Sequence, residues 1–117
     1  MDLDSLPIEW LTVPDVAEAL GVDVTRVRGM LKERRLVAVR RGERAVLSIP
    51  AALLRDGQPV KGLHGTLMML GDFGYSDEEM VHWLFSPEDV LGGLTPAAAL
   101  QDNRPTAVHK AAQLRAI

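Results

Sequence analysis

Two short helices are predicted near the start of this chain, because the residues that begin and end helices stand at the required spacing. Thr12 is a favoured N-cap, and Asp15 follows three residues later, where it completes a capping box. Gly21 is suited to the positive φ at which many helices end. Asp23 can cap a second helix, which we expect to span residues 23–35. The sequence therefore predicts two helices joined by a tight turn.

The apolar residues of these helices indicate how the two pack. The small side chain of Ala17 lets the second helix cross the first closely, and Gly21 provides the sharp turn four residues later. Val27, Met30 and Leu31 form a buried stripe on the second helix. This is the spacing that a helix-turn-helix requires, although an ordinary pair of antiparallel helices matches part of it.

A change of period after residue 35 predicts a β-hairpin. Residues 36–39 and 45–49 are short β-prone runs, and Gly42 lies between them as the turn residue. Pro50 ends the hairpin and begins a short helical turn. Three arginines are expected at the tip of the hairpin: Arg40, Arg41 and Arg44.

The rest of the chain predicts a bundle of short helices. Residues 55–62 are rich in turn formers and are expected to be a connector, whereas residues 63–117 carry apolar side chains at helical spacing. Three N-cap residues are expected to begin helices: Ser76, Thr95 and Asn103. Because helices this short are unstable alone, they must pack together or on the N-terminal part. The expected fold class is mainly α with a small two-stranded β-hairpin.

Basic residues are concentrated in one window that begins in the second helix. Residues 26–44 contain eight of the thirteen Lys and Arg residues and only two Glu, a net charge of +6 in a chain whose formal net charge is −3. The eight are Arg26, Arg28, Lys32, Arg34, Arg35, Arg40, Arg41 and Arg44. Such a face is where a polyanion would bind, although the average charge does not reveal it.

The helical phase of the second helix assigns roles to its exposed residues. If Val27, Met30 and Leu31 are buried, the opposite side faces outward, toward the major groove of a bound duplex. Thr25 and Arg28 are the candidates for contact with base edges, because arginine can pair bidentately with guanine.

The other residues of the basic window are candidates for contact with the DNA backbone. Gly29 lacks a side chain on the outward side, which permits a close approach to DNA. Three residues of the second helix are expected to reach phosphates: Arg26, Lys32 and Arg35. The hairpin arginines are expected to lie along the backbone or to enter the minor groove: Arg40, Arg41 and Arg44. The alternative interpretation is a solvated basic helix and turn without a ligand.

Residues 11–54, LTVPDVAEALGVDVTRVRGMLKERRLVAVRRGERAVLSIPAALL, resemble the winged helix-turn-helix of excisionase-like and MerR-like proteins. The whole chain is similar to a family of short actinobacterial, notably mycobacterial, winged helix-turn-helix DNA-binding regulatory proteins. The resemblance implies a winged helix-turn-helix domain in residues 1–54 and a short α-helical domain in residues 63–117. It implies a sequence-specific DNA-binding protein and transcriptional regulator, with residues 23–35 in the major groove and the wing, residues 36–49, on the backbone or in the minor groove.

The C-terminal half leaves an alternative open. It also resembles the toxin-binding helical domain of some helix-turn-helix antitoxins, and the shared landmarks are Trp83-Leu84, Leu91-Gly92-Gly93 and Thr95-Pro96. On that interpretation the C-terminal helices bind a protein partner, such as a toxin. A homodimer through the helices after Gly62 is also expected, because one helix-turn-helix reads about half of a two-fold symmetric site.

Other kinds of site find little support in the sequence. The absence of Cys excludes disulfides and thiolate chemistry, and three widely separated His residues predict neither a metal site nor a cofactor. The acidic residues 77–79 lie in the first turn of a predicted helix, where the helix dipole explains them better than catalysis does. We expect no secretory signal, because residues 1–10 are acidic and lack an apolar core, and no apolar run approaches the roughly 20 residues that span a bilayer. We therefore expect a cytoplasmic protein that is not an enzyme.

Overall fold

The first two helices of the computed structural model, which describes residues 2–116, pack against each other through the predicted faces. Helix α1 spans Val13–Leu20 and helix α2 spans Val24–Lys32. The capping box of Thr12 and Asp15 is formed, and Gly21 ends α1 with a φ of 69°. Val16 of α1 and Val27 of α2 are fully buried. The predicted starts of both helices and the turn between them are confirmed.

Helix α2 ends three residues earlier than the sequence predicts. Arg34 has a φ of 59°, and the backbone N–H of Arg35 donates to the carbonyl of Met30 at 2.8 Å. This left-handed turn redirects the chain so that the next residue, Leu36, is buried. No Gly or Pro marks the helix end, so the expected extent of residues 23–35 was wrong, and Arg35 lies beyond the helix.

The sheet has three strands rather than the two that the sequence predicts. Strand β1 spans Trp10–Thr12, β2 spans Val39–Arg41 and β3 spans Val46–Pro50, and the antiparallel order is β1-β3-β2. Residues 36–38 are buried but stay outside the sheet. Thr12, which caps α1, pairs with Ser48 of β3, so the sheet also positions the first helix.

The tip of the hairpin is therefore shorter than expected. Strands β2 and β3 are joined by residues 42–45, and Arg40 pairs with Leu47 inside the ladder. Arg40 and Arg41 thus belong to a strand, and only Arg44 lies in the loop. The prediction that all three arginines occupy the tip was wrong, because Arg40 and Arg41 pair with β3.

The predicted connector contains a second, smaller hairpin. After a 3₁₀ turn at Ala51–Leu53, strand β4 (Leu54–Arg55) pairs with strand β5 (Gln58–Pro59). The two residues between them, Asp56 and Gly57, both have positive φ. A two-residue turn of this kind matches the twist of an antiparallel pair, which explains why Asp-Gly occupies it.

Four further helices follow: α3 (Leu63–Asp72), α4 (Asp77–Leu84), α5 (Pro96–Gln101) and α6 (Pro105–Gln113). The caps predicted at Ser76 and Thr95 are confirmed. Asn103 is not an N-cap, because its φ of 56° places it in the preceding turn and Arg104 occupies the cap position. Short 3₁₀ segments lie at Leu3–Ser5, Asp89–Leu91 and Leu114–Ala116.

One hydrophobic cluster joins the two halves of the chain. It contains Val27 and Ile49 from the N-terminal half and Leu67 and Val108 from the C-terminal helices, all fully buried. The predicted class, mainly α with a small β wing, is confirmed. Met1 and Ile117, the outer ends of the two predicted domains, lie outside the described residues.

Removal of the α1 cap gives a direct test of this local structure. Thr12→Ala should lower the free energy of unfolding by about 1 kcal/mol at neutral pH, since the hydroxyl accepts the Asp15 N–H. In return Asp15 accepts the Thr12 N–H, and this bond lowers the pKa of Asp15 below its usual 3.8. The wild-type cap is therefore fully effective above pH 3.8 and weakens as the pH falls through the lower, folded pKa. Urea unfolding across this range measures both effects, and an unchanged midpoint for Thr12→Ala at neutral pH would contradict the cap.

Candidate nucleic-acid interface

The outward side of α2 carries the residues predicted to contact bases. Thr25, Arg28 and Lys32 are exposed, and a Cβ atom added at Gly29 would meet nothing within 4 Å. Asp23 fixes the start of the helix by accepting the Arg26 N–H at 2.8 Å. The helical phase inferred from the sequence therefore places these residues on one open surface.

The buried side of α2 differs from the prediction at one position. Val27 and Met30 are buried, but Leu31 is only partly buried. It lies at the wall of a groove beside the outward surface, where the C-terminal helices leave it open to solvent. The third member of the predicted buried stripe is thus partly exposed, because the stripe meets the edge of the core there.

Arg28 and the hairpin face the same depression. Arg28, Arg40, Ala45 and Leu47 all line a shallow cavity of about 190 Å³. The guanidinium of Arg40 donates to the carbonyl of Ala45 at 3.0 Å, which holds the side chain along the hairpin. The fold therefore brings the second helix and the wing into one basic surface, to which the exposed Arg44 adds a further charge.

Arg41 is held differently from the other hairpin arginines. Its guanidinium forms an ion pair with Asp4 and lies 4.5 Å from the ring centroid of Trp10. The side chain is 31% exposed, whereas that of Asp4 is 78% exposed. The positive charge predicted to face DNA is thus already partnered within the chain. The acidic residues at the N-terminus were the available signal for this contact, which sequence reasoning missed.

Two predicted phosphate contacts flank one acidic residue. Glu33 accepts a hydrogen bond from Arg35 at 3.1 Å and lies 3.8 Å from Arg26, with all three side chains about half exposed. Exposed ion pairs of this kind contribute about 0–1 kcal/mol and are screened by salt. Arg26 and Arg35 are therefore free to exchange Glu33 for another anion.

Arg34 leaves the outward surface and contacts the C-terminal half instead. Its carbonyl lies 3.0 Å from Nδ1 of His64 in α3, and its guanidinium lies over Gly71 of the same helix. A Cβ atom at Gly71 would overlap the guanidinium. Arg34 thus connects the end of α2 to α3 through contacts with both backbone and side chain. Its place in the basic window does not suggest this role.

Neither metal-binding clusters nor membrane spans are found in the part of the chain that the structure describes. Among residues 2–116, no three His, Cys, Asp or Glu side chains are placed to share an ion. His64 and His109 instead bond the backbone carbonyls of Arg34 and Gly62. None of the helices within the same residues combines the length and the hydropathy needed to cross a bilayer.

Comparison with known proteins identifies relatives over nearly the whole chain. Residues 2–54 match the family described as the wHTH domain of DNA-binding protein Rv2175c, and residues 60–116 match the Rv2175c C-terminal domain of unknown function. The chain is 39% identical over 116 residues to DNA-binding protein Rv2175c of Mycobacterium tuberculosis, with 89% of this chain and 78% of that protein covered.

A solved structure gives the same result for the fold. The NMR structure of Rv2175c matches with a TM-score of 0.84 at 36% identity, covering 100% of this chain and 85% of that one. The predicted resemblance to mycobacterial winged helix-turn-helix proteins is confirmed. The resemblance to excisionase-like and MerR-like proteins stays a prediction.

Proposed function

The chain belongs to the Rv2175c family of winged helix-turn-helix DNA-binding proteins, and we propose that it binds double-stranded DNA sequence-specifically and regulates transcription. The observation that carries this proposal is the single basic surface formed by the outward side of α2 and the adjacent hairpin. Arg28 and Arg40 line one depression on that surface. A duplex would lie across both elements at once.

In the proposed complex, α2 occupies the major groove. A helix with its side chains is about 10–12 Å in diameter, which fits a groove of about 12 Å in width. The nine residues of α2 extend about 14 Å along that groove. Thr25 and Arg28 would contact base edges, and Gly29 would allow the helix to approach closely. Arg26, Lys32 and Arg35 would contact phosphates on either side, with Arg26 and Arg35 exchanging Glu33 for the DNA backbone.

The wing would contact the adjoining backbone or minor groove. Arg40 and Arg44 are free of acidic partners among the described residues, and they supply the positive charge at this position. Arg41 would have to leave both Asp4 and the Trp10 ring before it contacts a phosphate. We therefore assign Arg41 a smaller share of the binding free energy than Arg40 or Arg44.

We further propose that residues 1–54 bind DNA, that residues 55–62 connect the halves, and that residues 63–117 serve dimerisation or partner binding. A DNA target also supports a cytoplasmic location and a role without catalysis. The antitoxin-like alternative is not favoured, because the relatives are described as DNA-binding proteins. A dimer contact through the C-terminal helices stays a prediction.

The salt dependence of DNA binding tests the proposal. Fluorescence anisotropy with duplexes selected from a random pool should show affinity that falls steeply as salt rises, because Lys and Arg displace counterions from phosphates. With about five phosphate contacts, the slope of log K against log salt should be about −4 to −5. No binding at low salt, or binding that ignores salt, would refute DNA recognition by this surface.

A charge-matched variant provides the control for this experiment. Lys110→Ala removes one exposed positive charge from α6, outside the basic window. It should leave both the affinity and the slope unchanged within error. A slope that fell equally for Lys110→Ala would indicate a response to net charge rather than binding at the α2 surface.

A further inference from the structure

A groove of about 590 Å³ opens between α2, the segment that follows it, the hairpin and the helices α3 and α4. Its volume lies within the range of about 300–1,000 Å³ that small-molecule sites occupy. The groove is bounded by both halves of the chain, since Leu67 of α3 and Met80 of α4 contribute to its lining. It is much larger than the depression that Arg28 shares with Arg40.

The walls of the groove are apolar and partly open to solvent. Leu31 of α2 and Leu47 of β3 line the groove, and each is only partly buried. Val37 and Ala38, from the segment between α2 and β2, line it as well. An apolar group that covers a partly exposed leucine stabilises the complex by about 25 cal/mol per Å² of apolar surface buried. A DNA backbone, which presents phosphates and sugars, would not supply such a group. The groove therefore fits an apolar occupant better than it fits the duplex.

The rim of the groove is basic. Three cationic side chains, Arg28, Lys32 and Arg34, line it together with a single acidic residue, Asp77. Burial raises the pKa of Asp77, the neighbouring Glu78 raises it further, and Arg34 opposes the rise. The Asp77 side chain is exposed, and with three cationic side chains to one carboxylate the rim keeps an excess of positive charge. An occupant that complements this site carries a negative head on an apolar body.

We propose that the groove binds a fatty-acid-like carboxylate, with the chain along the partly exposed Leu31 and Leu47 and the carboxylate at Arg28 and Lys32. The rim residues Thr25, Arg28 and Lys32 are also proposed to contact DNA, so the carboxylate and the duplex cannot bind together. The ligand would therefore act as an effector that releases DNA. The release of DNA rests on the proposed function, whereas binding of the carboxylate to the groove does not.

Titration calorimetry with octanoate, dodecanoate and hexadecanoate tests the site directly. At least one of these should bind saturably with one molecule per chain, and dodecyltrimethylammonium, which has the same chain and a cationic head, should not. Lys32→Ala should weaken carboxylate binding about tenfold, the usual effect of losing one charge-assisted hydrogen bond. Absence of saturable binding for all three carboxylates, or equal binding of the cation, would overturn the proposal.

Filling the groove provides a variant that should stay folded. Gly29 lines the groove, and a Cβ atom there meets nothing within 4 Å, so Gly29→Leu begins its side chain in open space. Replacing glycine inside a helix should raise the thermal midpoint by about 3–6 °C. The same variant should lose carboxylate binding, whereas Lys110→Ala, in α6 and outside the groove, should keep it. Wild-type affinity in a folded Gly29→Leu protein would overturn the assignment of the site.

Competition with DNA separates this proposal from the proposed function. Saturating dodecanoate should release a bound duplex from the wild-type chain, and by linkage the duplex should weaken dodecanoate binding by the same factor. A chain that binds both together would overturn the effector role. If the chain bound no DNA at all, the proposed function would fail, and the calorimetric titration would still decide whether the groove binds the carboxylate.

Discussion

Replacement of Gly62 by alanine is expected to lower the free energy of unfolding by about 2–5 kcal/mol. Gly62 precedes α3 with a φ of 89°, a conformation that costs other residues about 1–2 kcal/mol. An added Cβ would also lie 2.4 Å from Cβ of Pro105 and 3.4 Å from Cδ2 of Leu100. Because the proline ring cannot rotate away, the packing around it must shift, which typically costs a further 1–3 kcal/mol or so.

Gly74→Ala is the matched control for Gly62→Ala. Gly74 has a φ of 88°, but nothing lies within 4 Å of an added Cβ. It should therefore lose only the conformational part, about 1–2 kcal/mol. Urea unfolding of both variants measures the difference. Equal losses would show that Pro105 is not packed against Gly62 as described, and that the junction of α3 with α6 is looser in solution.

Replacement of Arg28 by alanine is expected to have the largest effect on recognition of DNA. The variant should lose about 1–3 kcal/mol of binding free energy and relax the preference at one or two base positions. The physical reason is that Arg28 projects from the outward side of α2, where a bidentate contact with a base edge is possible. Selection of duplexes from a random pool, followed by anisotropy on the selected sites, measures both quantities.

Arg44→Ala gives the contrasting result. Arg44 lies in the exposed loop of residues 42–45, so its loss should weaken all duplexes similarly and reduce the salt slope by about 1. Thermal melting must first show that both variants are folded. If Arg28→Ala kept the wild-type preference while Arg44→Ala changed it, α2 would not be the recognition helix, and sequence would be read through the wing.

The parts of the fold that depend on nearby residues could be predicted from the sequence. The caps at Thr12, Ser76 and Thr95 each involve residues three positions apart, and the turn at Gly21 depends on the residue itself. The missed features depend on distant contacts. Strand β1 forms only because Trp10 pairs with Pro50, forty residues later in the chain. Local propensity contains no information about such a pairing.

The end of α2 illustrates the same limit. Nothing in the local sequence stops the helix at Lys32, yet Arg34 adopts a positive φ and its carbonyl contacts His64, thirty residues away. The contact with α3 and the burial of Leu36 favour the left-handed turn over another turn of helix. Tertiary structure here overrides the helical propensity of residues 33–35.

In the candidate interface, too, the features set by nearby residues could be predicted and those set by distant contacts could not. Except at the partly exposed Leu31, the phase of α2 correctly predicts which of its side chains are exposed, because Val27 and Met30 define the buried side. The sequence could not show that Arg34 turns toward α3 or that Arg41 is paired with Asp4, because each partner is thirty or more residues away. The charge of residues 26–44 identified the basic window, but only the fold shows which contacts each of its arginines makes.

The ion pair between Asp4 and Arg41 has a consequence for how the protein would search along DNA. A carboxylate that already occupies an arginine turns phosphate binding at that position into an exchange of one anion for another. Arg41 would give up both the Asp4 carboxylate and the Trp10 ring to reach a phosphate, so Arg41 adds less to the affinity for arbitrary duplexes than an unpaired arginine would. Residence at random sites is shortened accordingly, while contacts from α2 to a matching sequence are unaffected. The acidic N-terminus would thus speed the search and sharpen discrimination without touching a base.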